Sequence, residues 1–325
     1  MKNICYYLRI VLMKGVIVDG YSLNPGDLSY DIFSSLLPFD VYDVTKDDEV
    51  FERCSDKEIV ITNKIPFSRG RMQSLPALKY IGVTATGYNI IDIEAAKELG
   101  IAVTNIPSYS TDAVAQHVFA FILSISNAVM QHDEAVKRGM WENCGNFCFW
   151  LSPLFELKGK TLGIIGLGNI GRRVAEIAKA FGMEVLSYSP HSRVEGIKSL
   201  SFDEVLSESD IITLHCPLTK DSAKMINEES LKQVKKGAVL INASRGGLVD
   251  EGAVIKALDD GVLSHYCADV LSEEPPKNNI LSMHPKAVIT PHIAWAPLET
   301  RRRLLDMVYE NLRSFLEGGS LNRVV

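Results

Sequence analysis

The chain reads as an α/β protein of two domains, each a parallel sheet flanked by helices. Three observations predict this. Its 325 residues are about twice the roughly 150 of a common single domain. Short apolar runs alternate with helix-like stretches in two separate series, the rhythm of parallel strands joined by covering helices. Between the series lies a helical pattern from about Thr111 to Gly139, rich in alanine, valine and phenylalanine, suited to carry the chain from one domain to the next.

The first series runs from Gly15 to Asn105 as GVIVD, FDVYDV, EIVITN, LKYIGVTA and GIAVTN, with helix-like stretches such as Asp92 to Leu99 in between. The second begins at Lys160. Thr161 to Gly166 is a strand, and from Gly168 the apolar positions Ile170, Val174, Ile177, Ala178 and Phe181 fall at helical spacing until Gly182 ends the element. Met183 to Tyr188 is the next strand. Ser201 with Glu204 three residues on forms a capping box for a short helix. Asp210 to His215, Ala238 to Ala243, His265 to Val270 and Ala287 to Thr290 complete six strands, a doubly wound sheet. Leu298 to Leu316 is helical but too short for a domain of its own. The chain is therefore expected to return to its first domain, giving residues 1–107 plus 297–325 around a second domain at 108–296.

Composition narrows the functional classes. Hydrophobic residues make up 46% and charged residues 23%, an ordinary globular balance. A net charge of −6 and the lack of any Lys/Arg block argue against a nucleic-acid partner. The six cysteines are scattered, mostly in apolar surroundings, which fits a reducing cytoplasm; Cys144 and Cys148 are close, but no second Cys/His pair stands at ligand spacing, so no metal is expected. The opening MKNICYYLRIVL is interrupted by Arg9 and lacks a cleavage site, so it reads as an extension upstream of Met13 and not a signal peptide. No apolar run reaches the roughly 18 residues of a spanning helix, and no membrane partner is expected.

The glycine run GIIGLGNIG carries the first chemistry. Between a strand and a helix, Gly166 permits a tight turn, Gly168 lets backbone amides approach a pyrophosphate, and Gly171 lets helix and strand pack closely. This is a Rossmann-type dinucleotide signature. The following strand ends Tyr188, Ser189, Pro190, without the carboxylate that usually receives the adenosine ribose. Ser189 with His191, Ser192 and Arg193 suits a 2′-phosphate, whereas a bare turn there suits NAD. Both NAD and NADP stay open.

A dinucleotide enzyme that moves a hydride to a carbonyl needs an acid for the carbonyl oxygen, and a cation wherever the substrate is an anion. Histidine suits the first task because it titrates near neutrality. Of seven histidines, His117, His132 and His265 fall inside predicted elements and read as packed or solvated. His292 instead follows Pro291 at the C-terminal end of a strand, where open parallel sheets gather their sites. Arg245 in ASRGGLVD and Glu274 in SEEPP likewise follow strand ends.

Together VTATGYNIID, NIPSYSTDAVAQHVFA, GKTLGIIGLGNIG, HCPLT, INASRGGLVDE, ADVLSEEPP and TPHIAWAP resemble the D-isomer-specific 2-hydroxyacid dehydrogenase family, from about Lys14 to the C-terminus. The ATGYN loop, the NFCFW segment and IAWAP are most similar to its glycerate dehydrogenase, or hydroxypyruvate reductase, branch. The resemblance implies a flavodoxin-like substrate domain completed by the C-terminal helix, a Rossmann-type domain, a homodimer formed around the helix near 111–139, and a small 2-keto or 2-hydroxy acid as substrate. It implies that Arg245 binds the substrate carboxylate and carbonyl, that His292 is the acid and base, and that Glu274 orients and charges it. Backbone amides of Thr84, Ala85, Thr86 and Gly87 would grip the carboxylate, with catalysis requiring the domains to close. Around the dinucleotide it implies Asn169 and Ile170 at the pyrophosphate turn, Cys216, Pro217 and Ser222 under the adenine, and Ala243, Ser244, Arg245, His292 and Ala294 along the nicotinamide. Asp269 would meet the carboxamide. A 3-phosphoglycerate dehydrogenase shares these motifs, and the fold also serves nucleotide-sensing corepressors; intact Arg245, Glu274 and His292 favour an enzyme.

Overall fold

The computed structural model describes residues 13–190 and 192–325; the upstream-extension reading and His191 lie outside them. The chain divides into two compact units, one of residues up to Tyr109 together with Ala296–Val325, the other Ser110–Trp295.

In the first unit the strands are β1 (Gly15–Ile17), β2 (Phe39–Val41), β3 (Ile59–Thr62), β4 (Tyr80–Val83) and β5 (Ala102–Thr104). They pair in parallel in the order β2-β1-β3-β4-β5, the flavodoxin-like order. β1, β3, β4 and β5 are buried throughout, which is why they read as continuous apolar runs and not alternating ones. FDVYDV contributes only Phe39–Val41, on the partly exposed edge. The helix Leu298–Leu316 joins this unit by burying Leu304, Leu305, Val308, Leu312 and Leu316, with Phe315 against Tyr80 at 4.8 Å between ring centres. Arg301 on the same helix meets both oxygens of Asp27 at 2.6 Å, and the Val324 amide reaches the Val103 carbonyl at 2.7 Å.

In the second unit the strands are β6 (Thr161–Ile165), β7 (Glu184–Tyr188), β8 (Lys198–Ser199), β9 (Ile211–Leu214), β10 (Ala238–Asn242), β11 (Leu263–Ala268) and β12 (Ala287–Ile289). All are parallel, in the order β12-β11-β10-β9-β6-β7-β8. Successive residues of a strand face opposite sides, and each side finds its own core. Ile211, Val239 and Ile241 pack with Val118, Ile122 and Val174 of two helices, while Ile212, Leu240 and Ala268 pack with Leu206, Val254 and Leu258 of others. The seventh strand, β8, is two exposed residues with no apolar pattern, which is why the sequence predicts six.

The expected helix from Thr111 to Gly139 is broken. It runs Thr111–Asn127 and resumes as Val129–Lys137 at a bend of 51°. The break is Ala128, held left-handed at φ 48°, with its amide on the Ser124 carbonyl and its carbonyl 2.8 Å from Nδ1 of His132. Among the described residues no single helix is long and apolar enough to cross a membrane.

Candidate active site

β6 leads into Gly166, whose φ of 98° only glycine adopts without strain; a Cβ there would stand 2.7 Å from the Cys216 amide. Gly171, one turn into the helix Asn169–Ala180, would place a Cβ 2.2 Å from the Gly166 carbonyl oxygen. These two glycines are steric necessities of the strand–turn–helix itself. Gly168 is different: a Cβ there would meet nothing within 4 Å, and as N-cap it offers no side-chain hydrogen bond. Smooth backbone therefore faces open space at the positive end of a helix dipole, which fits a pyrophosphate.

At the end of β7, Ser189 is half-buried and carries no carboxylate neighbour in sequence. Arg172, which the sequence reading passed over, turns back here. Its Nε donates to the Leu167 carbonyl at 3.2 Å and Nη2 to the Ser192 hydroxyl at 2.8 Å, and that hydroxyl also reaches Leu167 O at 3.0 Å. Arg193 is exposed. The floor below is tied internally: Ser222 Oγ donates to the Pro217 carbonyl, and Ser244 Oγ to the Cys216 carbonyl, each at 2.7 Å.

The ionisable residues come from three adjacent strand ends. After β10, buried Asn242 holds the turn by donating to the Arg245 carbonyl at 2.9 Å and accepting the Ser244 amide at 3.1 Å. Arg245 is exposed, bonds the Ser244 carbonyl at 2.7 Å, and meets no carboxylate within salt-bridge distance among the described residues. Gly246 then passes so close to the next loop that a Cβ would lie 2.0 Å from the Leu271 carbonyl. After β11 that loop brings Glu274 back, its Oε1 accepting the Leu271 amide at 3.0 Å. After β12 comes His292, its Nδ1 2.7 Å from Glu274 Oε2. Glu274 accepts the Nδ1 proton, which leaves Nε2 as the nitrogen for a substrate.

The His292 turn is strained. His292 sits at φ 56°, a left-handed conformation that costs a non-glycine residue roughly 1–2 kcal/mol. Asp269, 2% exposed, holds it in place: Oδ1 accepts the Thr290 hydroxyl at 2.6 Å and the Ile293 amide at 2.8 Å, and Oδ2 the Ala294 amide at 2.8 Å. One lone pair on Oδ2 remains for an outside donor such as a carboxamide.

This combination matches known proteins. A family model described as D-isomer specific 2-hydroxyacid dehydrogenase, NAD binding domain, fits residues 119–294. A hydroxypyruvate reductase of Blautia hydrogenotrophica is 43% identical over 320 residues, 96% of this chain and 99% of that protein. A glycerate dehydrogenase of Methylorubrum extorquens is 40% identical over 85% of this chain and 88% of its own. The chain belongs to the D-isomer specific 2-hydroxyacid dehydrogenases. A crystal structure of a Thermus thermophilus protein superposes with a TM-score of 0.86 at 32% identity, covering 96% of this chain and all of the other.

For a member of this dehydrogenase family, the placement of the remaining sequence-predicted residues is informative. Thr84 to Gly87 follow β4 in the first unit, but the Thr84 amide is already committed to the Thr62 carbonyl at 2.9 Å. Only the amides of Ala85, Thr86 and Gly87 lack a partner among the described residues. Cys216 is no thiolate, since burial pushes its thiol up. His215 beside it has Nδ1 shut from solvent without a partner, and burial lowers it to about 4. His117, read from the sequence as merely packed or solvated, bonds Thr290 Oγ1 through Nε2 at 2.9 Å. Among the described residues no group of three or more His, Cys, Asp or Glu is placed to hold a metal.

Proposed function

We propose that this dehydrogenase reduces hydroxypyruvate, and glyoxylate beside it, to D-glycerate and glycolate, prefers NADPH, and works as a homodimer. The His292–Glu274 pair at 2.7 Å, with the Glu274 loop packed against the turn of an Arg245 that no carboxylate neutralises among the described residues, carries the reading. The guanidinium takes the carboxylate and carbonyl oxygen of the keto acid in a fork that a lysine does not match. A bound reduced nicotinamide would supply the hydride that the carbonyl carbon receives. His292 gives the Nε2 proton to the carbonyl oxygen as it gains charge, while Glu274 holds Nδ1–H and stabilises the ring in both states. In the reverse direction Nε2 takes the hydroxyl proton. The amides of Ala85, Thr86 and Gly87 are proposed as further carboxylate ligands. Gly166, Gly168, Asn169, Ile170 and Gly171 hold the pyrophosphate in this reading, and Asp269 the carboxamide.

For the adenosine end, the absence of a carboxylate at Ser189 and the two cations Arg172 and Arg193 support a 2′-phosphate. For the dimer, Val129, Met130, Trp141, Phe147 and Trp150 are all at least half exposed on one stretch of chain, and large apolar side chains gathered at a surface mark an interaction site.

A steady-state panel tests the proposal: hydroxypyruvate, glyoxylate, pyruvate and phosphohydroxypyruvate, each with NADH and NADPH. Hydroxypyruvate with NADPH should give the highest kcat/KM, and Arg172→Ala should lower the NADPH value about tenfold with little effect on NADH. Strong preference for the phosphorylated acid would sink the substrate assignment, and preference for NADH the cofactor assignment.

A further inference from the structure

We propose that His117 and Thr290 form a relay that fixes Asp269 and, through it, the turn carrying His292, which makes His117 a positioning residue for proton transfer. This rests on the reading of His292 as the acid. The Thr290 hydroxyl has one proton, and Asp269 as a carboxylate only accepts, so the 2.6 Å contact commits that proton to Oδ1. The 2.9 Å contact with His117 is then a donation from Nε2–H to the Thr290 oxygen, which assigns the tautomer. His117 Nε2 lies 3.7 Å from Asp269 Oδ1 itself.

The relay begins on rigid ground. The helix Thr111–Asn127 buries Ala113, Val114, Ala115 and Val118 around His117, and the ring meets Phe121 edge-on at 4.6 Å. It ends where orientation matters. Thr290 and Ile293 bracket Pro291 and His292, and both are bonded to the same oxygen, Asp269 Oδ1. The His292 amide closes the bracket on the Thr290 carbonyl at 3.0 Å. A left-handed histidine has no preference for its own conformation, so the four-residue turn depends on that oxygen staying where it is. Without His117, the Thr290 hydroxyl loses the donor that sets its rotamer and the anchor loosens at one end.

His117 and Thr290 reach the site only through Asp269, so their loss should act on proton transfer at His292 and leave keto-acid binding alone, while the cofactor, whose carboxamide Asp269 is proposed to hold, registers any shift in its own KM. His117→Phe should lower kcat about three- to tenfold and Thr290→Val about tenfold, with KM for keto acid within twofold of wild type. Thr290→Ser, which keeps the hydroxyl, should restore most of the rate. The isotope effect with cofactor deuterated at the transferred position should rise in both slow variants as chemistry becomes limiting. His117→Phe combined with Thr290→Val should be no slower than Thr290→Val alone, because both cut one chain. Wild-type kcat in both single variants, losses that multiply, or a loss confined to KM would each overturn the relay. Should His117→Phe fail to fold, the Thr290→Val and Thr290→Ser pair decides alone. His292→Ala, run in parallel, separates the two readings. Retained turnover there refutes His292 as the acid, whereas a collapse there with normal kcat in the relay variants refutes only the relay.

Discussion

Replacing Glu274 by glutamine keeps the shape of the His292 contact and removes its charge. In the wild type Nδ1–H lies 2.7 Å from a carboxylate oxygen whose partner oxygen already accepts the Leu271 amide. A charge-assisted hydrogen bond is about twice as strong as a neutral one, so the substitution forfeits roughly 1–1.5 kcal/mol of support for the imidazolium. Both side chains are about a third exposed, 34% and 35%, and water screens part of the difference, which favours the lower end. That converts to a five- to tenfold fall in kcat/KM for keto-acid reduction. Glu274→Ala also frees the ring to turn, and a loss of about a hundredfold is expected, approaching His292→Ala at about a hundredfold or more. The assay is reduced-cofactor consumption with hydroxypyruvate under kcat/KM conditions, with thermal unfolding of each variant as a folding control. The reasoning requires the order wild type, Gln, Ala, His292→Ala. A glutamine variant as active as wild type would show that the carboxylate charge contributes nothing to proton transfer.

Gly246→Ala should cost at least tenfold in kcat, since the new Cβ would stand 2.0 Å from the Leu271 carbonyl and force apart the loops bearing Arg245 and Glu274; steady-state kinetics with a normal melting curve would isolate the effect. Stability should fall as pH drops from 6.5 toward about 4. Unfolded chains protonate His215 near 6.5 while the buried folded ring resists until about 4, so about 3 kcal/mol is lost across that window, with His117 and His265 adding in the same direction. Urea midpoints at pH 7 and pH 5 test this: equal values would show that burial of these rings is not felt, and His215→Gln should flatten the dependence. Phe147→Asp with Trp150→Asp should convert a dimer to a monomer in light scattering, because two charges would enter the 91% and 68% exposed apolar positions proposed to pair; an unchanged mass would place the interface elsewhere.

What was legible in the sequence was what local chemistry imposes. Strands buried on both faces had to be short apolar runs, and the glycines at Gly166 and Gly171 are the only residues their contacts tolerate. Arg245, Glu274 and His292 stood out because charged groups just past apolar strands have no role in the core. The unread parts depend on which distant side chains meet. Arg172 sits one residue past the last motif glycine and resembles any surface helix arginine until the chain returns with Ser192. His117 has the spacing of a packed helix residue, and only the arrival of Thr290, 173 positions later, gives its Nε2 a partner. The bend at Ala128 is instead local: no breaker marks it in the sequence, and the His132 ring, four residues on, bonds the carbonyl of a conformation alanine does not choose. Strand β8 pairs by backbone alone.

The return of the last helix to the first unit bears on how the molecule is made. Synthesis runs from the N-terminus, and domains generally fold as units as they emerge. Here β5 waits for partners at Arg323, Val324 and Val325, and Tyr80 waits for Phe315. The second unit, drawn from one uninterrupted stretch, is released from the ribosome whole while the first still lacks its closing helix. The part of the protein synthesised first is therefore the part completed last, because its sheet is sealed only by residues that follow the whole of the second unit.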